Sequence, residues 1–158
     1  MNKSYSRRWV HLLFSTKYAQ PLIGPSSRDE IYAHLHSQLM EMDCLPRVIT
    51  GTEDHVHLLF LENHKLALSE IVKQLKGNTS HWINDHDLTR SKFVWQKGYA
   101  AFSENAMSLP QVIEILNNQE EYHKSRSFIQ ELDELISAHL VESGVGSDIG
   151  IGDSRREK

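Results

Sequence analysis

Gly51-Thr52-Glu53-Asp54-His55-Val56-His57-Leu58-Leu59-Phe60-Leu61-Glu62 opens on four turn formers and continues, after two histidines, as an unbroken apolar run. Residues 55–62 read as a strand. Residues 45–50 read as a second strand, with Pro46 near its start, where a missing N–H donor is tolerated. With the turn at 51–54 between them, the two form a hairpin. Side chains alternate along a strand, so His55, His57, Leu59 and Leu61 share one face and Val56, Leu58 and Phe60 the other. The strand is apolar on both sides except at its beginning, where water is expected to reach two imidazoles. Two histidines at this spacing can hold one metal ion, with a third ligand from elsewhere in the chain. The same pair also fits two histidines satisfied by backbone groups.

Outward from the hairpin, residues 8–16 form a strand of large apolar groups. Pro21, Gly24 and Pro25 punctuate a loop. Ser26 or Ser27 is expected to cap a helix running to about Asp43, with Ile31, Leu35, Leu39 and Met42 at helical spacing. A second helix over 67–84 buries Leu68, Ile71, Val72, Leu75 and Trp82. A strand centres on 98–102. Ser108 caps a third helix, with Pro110 in its first turn, running to about Ser125, and 127–141 is a fourth helical stretch. The order predicts an α+β fold: a ferredoxin-like antiparallel sheet with helices on one face, plus C-terminal helices. One domain over 1–142 and a flexible tail over 143–158, which is poor in large apolar residues, are expected.

The 158 residues suffice for one core, and 39% hydrophobic with 24% charged residues fits a soluble globular chain. No apolar run is long enough to span a bilayer, and the basic, polar N-terminus has no signal-type segment, so no membrane association and a cytoplasmic location are expected. Cys44 is the only cysteine, which excludes an internal disulfide and a cysteine-based metal site. The net charge of −4 argues against indiscriminate coating of nucleic acid. The charge is uneven, however: +4 over 1–18, −5 over 19–63, +3 over 64–100 and −6 over 101–158. The two basic stretches can meet as a phosphate-binding face, or remain solvated charge.

The third helix offers a further ligand. Leu109, Val112, Ile113 and Leu116 make its apolar stripe, while Ile115, Gln119 and Tyr122 lie on a flanking face within roughly 60° of one another. The amide oxygen of Gln119 is a hard, neutral donor suited to Mg2+ or Mn2+ beside imidazoles; a plain surface position is the other reading.

Five ordered segments carry a family resemblance: His-Leu-Leu-Phe-Ser-Thr-Lys-Tyr (11–18), Glu-Asp-His-Val-His-Leu-Leu (53–59), Val-Lys-Gln-Leu-Lys-Gly-Asn-Thr-Ser (72–80), Trp-Gln-Lys-Gly-Tyr (95–99) and Asn-Gln-Glu-Glu-Tyr-His-Lys (118–124). The chain resembles, over about residues 4–140, the HUH-superfamily single-strand DNA tyrosine transposases of short bacterial insertion sequences, and the REP-associated tyrosine transposase branch above all. The resemblance implies a homodimer joined through its sheets that binds single-stranded DNA with hairpin ends. It implies a divalent metal held by His55, His57 and Gln119, and a tyrosine on the late helix that cleaves and rejoins strands through a phosphotyrosine link. That tyrosine belongs four residues before the glutamine, where this chain has Ile115, which has no oxygen to attack phosphorus. Three consequences stay open: a relative that binds DNA without cutting it, attack by Tyr122, or attack by water.

Arg7, Arg8, Lys17, Lys73 and Lys76, with Asn78, Thr79 and Ser80, suit phosphate contacts. Trp95 and Tyr99 suit stacking on unpaired bases, or core and dimer contacts. Glu53 and Asp54 suit orientation of an imidazole, and His11 reads as structural. Outside the family, a small metal hydrolase using His55, His57 and a carboxylate remains a competing reading.

Overall fold

A computed structural model of the chain describes residues 5–143, with side chains as far as 140. The elements are β1 (Trp9–Ser15), α1 (Pro25–Glu41), β2 (Leu45–Gly51), β3 (His55–Leu61), α2 (Leu68–Asp85), β4 (Ala100–Glu104), α3 (Leu109–Asn117), α4 (Gln119–Tyr122) and α5 (Phe128–Ser143). The expected tail lies, beyond Ser143, outside the described residues.

The strands form one antiparallel sheet in the order β2-β3-β1-β4. This is the ferredoxin-like arrangement, with the first and third strands central and one helix after β1 and another after β3. The two central strands are buried on both faces, which accounts for their near-continuous apolar sequence. Val10, Leu12 and Phe14 of β1 and Val56, Leu58 and Phe60 of β3 face Ile31, Leu35 and Leu39 of α1 and Ile71, Val72 and Leu75 of α2 in one core. Alternation puts His11, Leu13, His55, His57 and Leu59 on the opposite face. There α3, α4 and α5 supply the cover, burying Leu116, Gln119, Phe128 and Glu131.

Three expectations are corrected. The cap of α1 is Gly24, not Ser26 or Ser27, because Pro25 needs no N–H partner at the first helical position and holds its predecessor extended (φ −76, ψ 164). The last strand lies two residues later than 98–102. The third helix is not continuous to Ser125. It ends at Asn117, and Asn118 (φ −101, ψ 20) turns its amide Nδ2 back to the carbonyl of Glu114 at 3.0 Å. Such a side-chain bond competes with the helical ladder. Trp95 is buried, its ring in edge contact with Phe14 at 4.7 Å and Phe93 at 4.6 Å, which fits the core reading rather than stacking on bases.

Candidate metal centre

The turn at 51–54 fixes the first imidazole. Gly51 approaches the carbonyl of His55 so closely that a β-carbon there would lie 2.1 Å from that oxygen. Thr52 N–H closes the turn on the same carbonyl at 3.1 Å. The Asp54 carboxylate accepts from Nδ1–H of His55 at 2.6 Å and from the Thr52 hydroxyl at 2.8 Å. Nδ1 of His55 is thereby engaged, and Nε2 points inward.

His57 follows two residues later on the same face. Its Nε2 lies 3.2 Å from Oε2 of Glu131. The same carboxylate oxygen is 3.4 Å from Nε2 of His55 and 2.8 Å from Nε2 of His123. Gln119 closes the group. Its Oε1 is 3.4 Å from Nε2 of His55 and 3.1 Å from Nε2 of His123, and its Nε2 donates to Oε1 of Glu131 at 2.8 Å. Nδ1 of His123 is anchored on the carbonyl of Arg126 at 2.7 Å. Nδ1 of His57 faces Nε2 of His11 at 2.9 Å, so His11 belongs to this polar group.

The expected convergence of His55, His57 and Gln119 is therefore present, but the expected access of water to the imidazoles is corrected. His55 and His57 are 0% exposed, Gln119 1% and Glu131 5%, because α5 lies over them with Phe128 against His55. Burial opposes protonation of His55, but the Asp54 and Glu131 carboxylates outweigh it and raise its pKa. At His57 burial wins and the pKa falls. Burial disfavours the charged form of Glu131 too, yet hydrogen bonds from His55 and His57 hold its carboxyl well below the usual carboxylate range. Burial, with His57 next to it, brings His11 down to about 3.

His55, His57 and Glu131 bring one ligand atom each within 4.8 Å of one another. Two imidazole nitrogens, a carboxylate oxygen and the Gln119 amide oxygen form a mixed N/O donor set that fits a Mn2+-class cation. Sequence reasoning missed Glu131 and His123, though both left a signal. Glu131 sits on the apolar stripe of α5 with Phe128, Leu132 and Leu135, where an unpaired acid is out of place. His123 follows Gln119 by one helical turn.

Other expected residues are dispersed. Ile115 is 50% exposed on α3. Tyr122 lies beyond the break at Asn118 and donates its hydroxyl to Glu134. Arg7 and Arg8 precede the end of β1 that pairs with Leu61, about 20 Å along the strand from the end that pairs with His55. Lys17 follows that nearer end. Lys73 is exposed on α2, whereas Lys76 donates to the carbonyls of Gln96 and Gly98, both at 2.6 Å. Beside the cluster, His123, Asp54 and Phe128 share a cavity of about 420 Å³ with Arg28, Lys124 and Arg126. Each of these cations meets an acid: Glu120, Glu121 and Glu134 respectively. Among the described residues no helix is long and apolar enough to cross a membrane.

Two solved structures share the fold. A candidate transposase from Deinococcus radiodurans R1 is 20% identical, with a TM-score of 0.56 over 75% of this chain and 98% of its own. A REP-associated tyrosine transposase bound to a REP hairpin is 8% identical, with a TM-score of 0.59 over 78% of this chain and 73% of its own. No curated protein matches. The family described as "Transposase IS200 like" matches residues 4–119, which takes in both strand histidines and ends on Gln119, and so the chain belongs to the IS200-like transposase family.

Proposed function

We propose that this chain binds single-stranded DNA with hairpin ends and holds a divalent cation, Mg2+ or Mn2+, at His55, His57 and Gln119, with Glu131 beside them. We place strand cleavage and rejoining by a tyrosine as the family's activity, impaired here at Ile115. The observation that carries the reading is the meeting of two strand imidazoles and a distant helical amide in one cluster of a family member. The hairpin partner rests on the fold shared with a transposase that binds one. A homodimer belongs to the same proposal.

A cation bound there would neutralise charge on a phosphodiester oxygen. The chain's own residues prepare for it. Asp54 and Thr52 hold Nδ1 of His55, leaving Nε2 to face the centre. Gln119 adds an oxygen without adding charge. Lys17, Lys73 and Arg7 offer cations for phosphates along the strand, and Lys76 and Arg8 join them on leaving the Gln96 and Gly98 carbonyls and Glu62. Ile115 has no nucleophilic atom. Tyr122 is seven residues on, across a helix break, with its hydroxyl committed to Glu134; that geometry disfavours it as a replacement, since in-line attack tolerates little displacement. Glu131 favours a second reading, hydrolysis by water, because a buried carboxylate beside two imidazoles can serve as ligand or base.

The test is a hairpin-bearing single strand incubated with Mn2+ and run on a denaturing gel. Wild type is expected to bind it and form no protein–DNA adduct, and Ile115→Tyr to form one. An adduct in wild type that disappears in Tyr122→Phe would overturn the assignment. Cleavage without an adduct would select the hydrolytic reading.

A further inference from the structure

Resting on the metal reading above, we infer that His11 is a positioning residue for that centre: it determines which nitrogen of His57 is bare. His57 and His11 meet nitrogen to nitrogen, Nδ1 to Nε2, at 2.9 Å in a buried setting. Two ring nitrogens at this distance form a hydrogen bond only when one carries a proton and the other is bare. One ring donates and the other accepts. The register explains the meeting. His11 pairs with Leu59 across β1 and β3, which places it diagonally from His57 on the same face. The rings stack with centroids 5.2 Å apart.

With each ring neutral, as metal binding requires of His57, two proton arrangements satisfy this contact. In the first, His57 carries its proton on Nε2 and donates it to Glu131, 3.2 Å away, while His11 donates from Nε2 to Nδ1 of His57. In the second, His57 carries its proton on Nδ1 and donates to Nε2 of His11, whose own proton sits on Nδ1. A cation at His57 Nε2 requires the second arrangement, because a ligating nitrogen must be unprotonated. The proton count is the same in both; each ring exchanges its Nε2 proton for one on Nδ1. Without a cation, Glu131 at 3.2 Å holds a proton on Nε2 of His57; once a cation takes that place, the environment of His11 supports the second arrangement. Its Nδ1 faces Oε1 of Glu104 at 3.9 Å, a charge that draws a proton to that side, and the same oxygen lies 3.6 Å from Nε2 of His139. His55 has a carboxylate next to it for this purpose; His57 has the neutral imidazole of His11, backed by Glu104.

The experiment measures Mn2+ affinity by electron paramagnetic resonance and reads the His57 tautomer from 15N shifts in the Mg2+-loaded protein. His11→Phe keeps a ring but removes the acceptor, and is expected to weaken Mn2+ binding roughly 10- to 100-fold, the usual effect of losing a ligand's outer partner. His11→Gln puts an amide oxygen near the place of Nε2 and is expected to restore most of the affinity, which a purely space-filling role would not. Wild-type His57 is expected to show the Nδ1–H form when loaded, a reading that needs no variant. Unchanged affinity in a folded His11→Phe protein, or an Nε2–H His57 in the loaded protein, would overturn the inference while leaving the metal centre standing. Absence of Mn2+ binding in wild type would remove the centre and this inference with it.

Discussion

Glu131→Gln probes the carboxylate that the three imidazoles surround. Oε2 of Glu131 lies 2.8 Å from His123, 3.2 Å from His57 and 3.4 Å from His55, and Oε1 accepts from Gln119 at 2.8 Å. Glutamine keeps the shape but loses the charge and one accepting oxygen, and turns an NH2 group towards donors. A hydrogen bond to a buried charge contributes about 1.5–3 kcal/mol, and breaking a buried ionic contact by removing one partner costs about 3–5 kcal/mol. With 5% exposure there is little solvent screening to reduce this. His55, the imidazole whose pKa the carboxylates raise, can shed a proton and become neutral, which limits the loss to about 3 kcal/mol. In a chain of this length each kcal/mol shifts the melting temperature by roughly 2–4 °C, so the expected drop is roughly 6–12 °C. Calorimetry in excess EDTA at neutral pH measures it, free of any metal contribution. A drop below about 1 °C, within the few tenths of a kcal/mol typical of surface changes, would show that the imidazoles do not depend on the charge. Titration with Mn2+ adds a second readout. If Glu131 is a ligand the variant binds more weakly, and tighter binding would identify the carboxylate as a competitor for the cation's place.

Gly51→Ala is expected to cost about 3 kcal/mol or more, at the upper end for point changes, and to weaken Mn2+ binding as well. The added β-carbon would press on the His55 carbonyl, a backbone atom that moves only by opening the β2–β3 pair; thermal melts and metal titration of one sample check both effects. Tyr32→Phe addresses a buried hydroxyl that has no hydrogen-bond partner among the described residues. Its removal should leave stability at neutral pH unchanged or raise it by about 1 kcal/mol. Burial raises the Tyr32 pKa to about 12. A raised acid pKa favours the protonated fold, so the associated stability is present below the unfolded value near 10 and is lost as pH climbs from there towards 12. The variant should therefore lose stability less steeply than wild type over that interval, and the last step of tyrosine absorbance should vanish. An unchanged alkaline titration would refute the assignment.

The sequence showed the central sheet because two signals agreed there. Residues 55–61 alternate around a face that needs the core, and Ile31, Leu35 and Leu39 repeat with the period of a helix that can cover it. Gln119 was legible through its position after Ile115. Helix continuity at 118 was not, since Asn118 carries the same pattern whether its amide faces solvent or bonds the carbonyl of Glu114. His11 read as structural because its role depends on the β1–β3 register, which pairs it with Leu59, and a single sequence does not specify register between strands separated by a helix. Glu131 was hidden for the opposite reason. An acid among Phe128, Leu132 and Leu135 looks like a break in an apolar stripe until the imidazoles beneath it are placed.

That arrangement sets a condition on any DNA chemistry at the centre. His55, His57, Gln119 and Glu131 are all buried, so a phosphate linked to nucleotides on either side reaches their ligand atoms only if α5 shifts or its side chains withdraw. One cavity beside the cluster reaches His123, where Arg28, Lys124 and Arg126 rim it. Those cations are paired with Glu120, Glu121 and Glu134, and a phosphate would have to replace these acids as their partners. The family match ends at Gln119, so His123, Glu131 and the whole of α5 lie beyond it. The proposed ligands His55, His57 and Gln119 and the helix that covers them thus belong to different parts of the chain, and it is the second part, through Glu131, that couples the cover to the centre. A strand that draws the acids off the rim therefore acts on the same segment, between Gln119 and Glu134, that carries the covering carboxylate.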